Sequence, residues 1–331
     1  MRSLLLIQPP ARGRISGGFL YNARMADGGC WELVDAAADA LPALIERLPE
    51  PASILMDSIW LSPEHAPAFL AARARNARLG LMLHSFPSMI EATEKGRPPR
   101  AEPTAFERDS IDRLDVVVVP GRHYVRMLAG TRTPLVVAEP GIDDVWRASP
   151  RVRSGPCRLV SVGAVTPRKG FLDVAKALPR LGDYTWSIAG SLEVDPAYAA
   201  LVRERTRGLP VTLCGQLSPA ETRALVQASD VLLMPSYDEN QPLVLLEALA
   251  ASVPAIAYAA GATRDMLEHG REGYIAEIGD GQALAESIER LIENEELRAR
   301  MARSCWERQR SLRNWTSAAK HTRAKLEWFL E

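Results

Sequence analysis

Two stretches of this chain repeat one pattern, and that pattern leaves few folds open. From Ser3 to Val137, short apolar runs bounded by Pro, Gly or Asp alternate with segments of helical spacing. Further along, the alternation returns more clearly. The runs are continuous rather than polar at every second residue, which implies strands buried on both faces, hence parallel sheets covered by helices. In the first half, strands are expected at 3–8, 53–57, 79–84, 115–119 and 134–138, with helical spacing over 66–78 and 104–114. In the second, strands are expected at 157–163, 184–189, 210–214, 230–234, 254–258 and 273–276, with helices at 169–179, 196–207, 218–228, 242–251, 263–268 and 280–293. Two such units in succession predict an α/β protein of two doubly wound, Rossmann-like domains facing each other across a cleft.

At 331 residues the chain is longer than a usual single domain. The join is expected near Glu139-Pro140-Gly141-Ile142-Asp143-Asp144, where a strand ends and the polar stretch from Arg147 to Pro156 follows. This gives an N-terminal domain over 1–140 and a C-terminal domain over 141–312. The last segment, 313–331, has Trp315, Ala318, Ala319, Thr322, Leu326 and Phe329 at helical spacing, and its apolar face should pack back on the first domain. A formal net charge of −1 gives no reason to expect nucleic acid as a partner. Cys30, Cys157, Cys214 and Cys305 are far apart and form no metal-binding spacing, so they read as reduced thiols of a cytoplasmic protein, with no metal or disulfide expected. The apolar start Leu4–Ile7 is too short for a signal peptide, and no run of about eighteen apolar residues exists to span a membrane.

The most telling local feature is Glu239 and Glu247 in Tyr237-Asp238-Glu239-Asn240-Gln241-Pro242-Leu243-Val244-Leu245-Leu246-Glu247-Ala248. Pro242 suits a first helical position, so a helix is expected from about Gln241, capped by Asp238, Asn240 or Gln241. Glu239 then lies ahead of the N-terminus and Glu247 along the helix flank. A phosphate at that N-terminus would have a sugar hydroxyl near Glu239 and a ribose near Glu247. A capping acid and a solvated helix residue explain the same two positions equally well.

In Gly163-Ala164-Val165-Thr166-Pro167-Arg168-Lys169-Gly170, two cations are expected to open a helix. They would face its positive end, a placement that suggests a bound anion such as a diphosphate. A solvated surface turn is the plain alternative. Gly17-Gly18 after the first strand would let backbone approach a ligand, or form only a turn. His84 follows a strand at the edge where open α/β sheets bind ligands, although a structural histidine fits the position too. Asp57-Ser58 also ends a strand and reads as an ordinary turn. The arginine-rich segment 66–78 suits a solvent face, with peripheral contact to an anionic membrane as the second reading.

Taken together, Gly17-Gly18, His84, Pro140-Gly141-Ile142-Asp143, Thr166-Pro167-Arg168-Lys169-Gly170, the stretch from Glu239 to Glu247 and a late Trp315 resemble glycosyltransferase family 4, the retaining group with the GT-B fold. The resemblance implies a nucleotide-sugar donor held by the C-terminal domain and an acceptor (a saccharide, a lipid-linked sugar or a small molecule) held by the N-terminal one. It implies that Arg168 and Lys169 neutralise the leaving diphosphate, that Glu247 contacts the ribose, and that Glu239 holds donor-sugar hydroxyls. Gly163, Asn240, Gln241, Pro242 and Leu243 would line the donor, His84 would contact the sugar or orient the reacting centre, and Gly17 and Gly18 would allow close approach. Transfer with retention and without a metal cofactor is implied as well; no Asp-x-Asp stands where a nucleotide would lie. One departure is Ala164, where many members carry arginine, with Arg168 beside Lys169 available to replace its charge. A non-catalytic sugar-nucleotide-binding subunit and a sugar-nucleotide epimerase are the competing readings.

Overall fold

The computed structural model describes all residues except 1–3, 12–15, 49, 95–101, 152–154 and 179–181. The described residues form two compact units, one made by the chain up to Gly141 together with Arg313–Glu331, the other by Ile142–Leu312.

In the first unit the strands are β1 (Leu4–Gln8), β2 (Glu32–Asp35), β3 (Ser53–Asp57), β4 (Arg78–Met82), β5 (Val116–Val119) and β6 (Leu135–Val137). All pair in parallel, in the order β2-β1-β3-β4-β5-β6. Strands β1, β3 and β5 are buried at every residue, as their unbroken apolar runs require. β2 escapes a search for apolar runs because it is a four-residue edge strand, Glu-Leu-Val-Asp, with acids at both ends and no buried position. The helix expected over 66–78 is Ala66–Arg73. Asn76 then takes a left-handed φ of 58°, which turns the chain into β4 two residues later. Arg73 and Arg75, in and just beyond that helix, pair with Asp115 and Glu50 of the same unit.

The helix Trp315–Lys325 is part of this first unit. Trp315, Ala318, Ala319 and Thr322 are buried, with the Trp315 ring set edge-on to Tyr21 at 5.9 Å. Beyond it, the Phe329 carbonyl accepts from Ser53 Oγ at 3.0 Å, and Lys325 Nζ donates to the Val137 carbonyl at 2.7 Å.

The second unit carries β7 (Cys157–Val162), β8 (Tyr184–Ala189), β9 (Val211–Gly215), β10 (Val231–Met234), β11 (Ala255–Tyr258) and β12 (Gly273–Ala276), parallel throughout in the order β12-β11-β10-β7-β8-β9. Side chains alternate between two cores along β7, β10 and β11. Leu159, Leu233 and Ile256 join Trp186, Phe171 and Leu284 on one face. Val160, Leu232 and Ala255 join Leu245, Leu249 and Cys305 on the other.

Strand order reverses between β1 and β3 in the first sheet and between β7 and β10 in the second. At such a reversal, loops leaving the carboxyl ends diverge in opposite directions and open a crevice where ligands bind. The loops after β7 and β10 carry Arg168-Lys169 and Glu239. Those after β1 and β3 begin beside Gln8 and Asp57.

Candidate functional site

In the second unit, the turn after β7 is shaped by two glycines. Gly163 has φ of 145°, and a Cβ there would sit 2.9 Å from Lys169 Cε, so its absence leaves room for the lysine stem. Pro167–Lys169 forms a 3-10 turn, and Gly170, at φ of 67°, separates it from the helix Phe171–Ala177. Arg168 and Lys169 therefore precede the helix instead of opening it. The left-handed glycine ends the tight turn before the helix begins, and the acid Asp173 occupies the helix's first turn.

Lys169 Nζ donates to Glu239 Oε1, and Arg168 Nη1 lies 3.9 Å from the same oxygen while donating to the Asp238 carbonyl at 2.7 Å. The two motifs thus form one cluster. The anion that offsets the two cations is first of all the protein's own carboxylate. Burial alone would raise the Glu239 carboxyl, but Lys169 and Arg168 outweigh it and hold it below the usual carboxylate range. Burial pulls the Lys169 ammonium down, against the opposing pull of Glu239. The Asp238 carboxyl beside Glu239 also feels both cations, and Arg168, with 38% of its side chain exposed, is the cation of the cluster that faces solvent.

The acid loop is fixed from behind. Gly261, at φ of 51°, lies so close that a Cβ would run into the Glu239 carbonyl oxygen, and Ala262 N donates to the Asn240 carbonyl at 3.1 Å. The following helix is Leu243–Ala250, with Pro242 as its N-cap at ψ of 102° and no side-chain cap. This corrects the expected start near Gln241. Pro242 is extended, outside the helical ψ range, and Gln241 Oε1 is buried without a partner rather than capping. Glu247 is half-buried about one turn into the helix, pushed up to about 7 by burial and then by Asp143.

In the first unit, Gly17 and Gly18 open the helix Gly17–Asp27 behind the N-cap Ser16. Gly18 faces His84, whose Cγ would be 3.3 Å from a Cβ at that position. His84 lies beyond β4, with Nε2 at 2.7 Å from Asn22 Oδ1 and 3.8 Å from Asp57 Oδ2. Asn22 Nδ2 reaches Asp57 Oδ2 at 3.0 Å and Gln8 Oε1 at 2.8 Å. Burial lowers the His84 pKa against the attraction of Asp57. Asp57 also accepts from Ile59 N, so the turn reading and a place in this network are both correct. Asn22 and Gln8 carry no motif. The one available signal is that Asn22 falls a helical turn after Gly18, on the same face. Among the described residues, no group of three His, Cys, Asp or Glu side chains could hold a metal, and no helix is long and apolar enough to cross a membrane.

Residues 143–305 match the family described as glycosyl transferases group 1. That span includes Gly163, Arg168, Lys169 and the whole stretch from Glu239 to Glu247, while Gly17, Gly18 and His84 lie outside it. The glycogen synthase of Mycobacterium tuberculosis is 31% identical over 199 residues, covering 57% of this chain and 47% of that one. The D-inositol 3-phosphate glycosyltransferase of a Nocardioides species is 26% identical over 303 residues, covering 80% and 64%. The chain thus spans between about half and just under two thirds of these glycosyltransferases' own length. Among solved structures, sucrose-phosphate synthase from Thermosynechococcus elongatus superposes with a TM-score of 0.82 at 17% identity over 99% of both chains. HepE of Anabaena, solved in complex with UDP, gives 0.79 at 18% identity over 99% of this chain and 100% of that one. The fold is GT-B, with its two Rossmann-like halves of six strands each.

Proposed function

We propose that this protein is a metal-independent, retaining glycosyltransferase that moves a sugar from a nucleoside-diphosphate sugar to a hydroxylated acceptor. The observation that carries this reading is the Arg168–Lys169–Glu239 cluster at the strand-order reversal of the second sheet. As the glycosidic bond breaks, negative charge grows on the departing diphosphate, and fixed cations already in place stabilise it without reorganising. Arg168, the solvent-facing cation, takes the phosphate oxygens, and Lys169 is aimed by its bond to Glu239. Glu239 accepts from donor-sugar hydroxyls, Glu247 from the ribose, and the backbone from Asn240 to Leu243 lines the sugar and phosphates, with Gly163 giving the turn its close approach. The first unit is given the acceptor in this reading, with His84 available to contact a sugar beside Gly17 and Gly18 of the same unit. Uridine as the base is supported by the UDP-bound relatives of the same fold.

The test uses turnover of UDP-glucose, GDP-mannose and ADP-glucose. Glu239→Ala strands a buried lysine charge and is expected to unfold the site by about 3–5 kcal/mol. Glu239→Gln combined with the double replacement Lys169→Met/Glu239→Leu separates fold from chemistry. The double variant should regain most of the thermal stability, because the buried pair is removed together while the half-exposed Arg168 keeps its bond to the Asp238 carbonyl, yet neither variant should turn over any donor. Full turnover in either one removes the cluster from the reaction.

A further inference from the structure

The buried polar chain around His84 has a direction, and that direction fixes which imidazole nitrogen carries the proton. It begins at Asp35, whose Oδ1 is 2.9 Å from Gln8 Nε2. A carboxylate accepts, so the Gln8 amide nitrogen points to Asp35 and its oxygen points to Asn22. Asn22 Nδ2 then donates twice, to Gln8 Oε1 at 2.8 Å and to Asp57 Oδ2 at 3.0 Å. Both amide protons are spent. The Asn22 oxygen is thereby turned to His84 Nε2 at 2.7 Å, and since that oxygen can only accept, Nε2 must donate. Carboxylates at two points of the chain exclude the flipped amides, which would set oxygen against oxygen.

We propose that Asn22 is a positioning residue that holds His84 as the neutral Nε2–H tautomer, leaving Nδ1 as an acceptor for a sugar hydroxyl. This rests on the glycosyl-transfer reading above and deepens it.

The rest of the imidazole's surroundings agree. The His84 N–H donates to Ser58 Oγ at 3.1 Å, its carbonyl accepts from Tyr124 at 2.8 Å, and Tyr21 stands edge-on to the ring at 5.3 Å. Nδ1 makes no hydrogen bond among the described residues. Burial disfavours the charged ring against the pull of Asp57, and Gly18, lacking a Cβ, leaves the ring face uncrowded. A histidine so held accepts a proton or a hydrogen bond at Nδ1 and does not donate there. Asn22 never touches substrate; it acts through His84.

The experiment is nitrogen-15 NMR of histidine-labelled full-length protein at pH 7.5, with the His84 resonances assigned by comparison with His84→Gln. The expected spectrum has a protonated Nε2 and an unprotonated Nδ1. An Nδ1–H tautomer, or an imidazolium, overturns the proposal. Asn22→Leu should release the tautomer into a mixture and lower the kcat for donor turnover by about tenfold or more, the worth of one well-placed hydrogen bond, with the donor KM within about twofold. Unchanged kcat overturns the positioning role. Asn22→Ala, which removes the acceptor without setting an oxygen against Asp57 or Gln8, should likewise release the tautomer into a mixture; an Nε2–H tautomer kept intact in it counts against the contact. Should both variants fail to fold, the spectrum of the unmodified protein still decides. Donor binding in the second unit is read separately by thermal shift with UDP. Absence of any shift in unmodified protein and variants alike would sink the transfer reading, while the tautomer spectrum would still decide this one.

Discussion

Glu239 and Glu247 sit on one short stretch and carry opposite electrostatics. Glu239 is held ionised against its burial by Lys169 and Arg168, whereas burial and then Asp143 push Glu247 up to about 7. For Glu247 the folded pKa is above its unfolded value near 4.5, so the native state binds more protons between pH 4.5 and 7. Stability therefore falls as pH rises across that window and levels off above it. After discounting for its solvent contact, the loss is roughly 2 kcal/mol. Glu247→Gln should flatten that slope in thermal melts from pH 5 to 8. A ribose hydroxyl donating to the carboxylate favours its ionised form, so donor affinity should increase as pH rises through about 7, and Glu247→Gln should lose this dependence too. Identical slopes in the two proteins would show that Glu247 is solvated and unperturbed.

At the level of elements, the geometry of the candidate site is set by turns rather than by helices or strands. Gly261 closes on the Glu239 carbonyl from the loop after β11, in a left-handed conformation that L side chains rarely adopt. Gly261→Ala should destabilise the second unit by about 1–3 kcal/mol and push the Glu239 loop aside, so donor turnover should fall while the first unit melts as before. A variant with unchanged turnover would mean the loop is held by other contacts. The same level explains what sequence reading reaches. Continuous apolar runs mark buried parallel strands, so eleven of the twelve strands can be read from them and only the polar edge strand β2 is missed. Helix ends are less legible. Whether Pro242 is first residue or cap depends on its ψ, and whether Arg168-Lys169 opens a helix depends on the left-handed Gly170, neither of which a pattern of residue types fixes. Lys169 and Glu239 are legible one by one as candidates, but their pairing is not, because seventy residues separate them and only the strand order brings them together. Asn22 and Gln8 stay hidden for the same reason.

Across the whole molecule, the chain leaves its first unit at Gly141 and returns to it at Arg313. Gly141 is pressed against the Trp315 backbone so tightly that any Cβ would collide with it. Phe329 and Leu330 are buried beyond the helix Trp315–Lys325. Each large apolar side chain buried there contributes about 1.5–3 kcal/mol. Ending the chain at Leu312 should lower the melting transition of the first unit and leave that of the second in place, read by calorimetry. A single unshifted transition would mean that the C-terminal segment contributes nothing to the first unit's stability. The claim that gives these units a purpose is donor binding through the cluster at the second sheet's reversal point. It is tested most directly by thermal shift with UDP, GDP, ADP and their sugars on unmodified protein and on Arg168→Ala, since a ligand that binds only the folded state raises its melting temperature by mass action. One base should produce a selective rise that shrinks in Arg168→Ala. No rise with any of them, or an equal rise in both proteins, would contradict it.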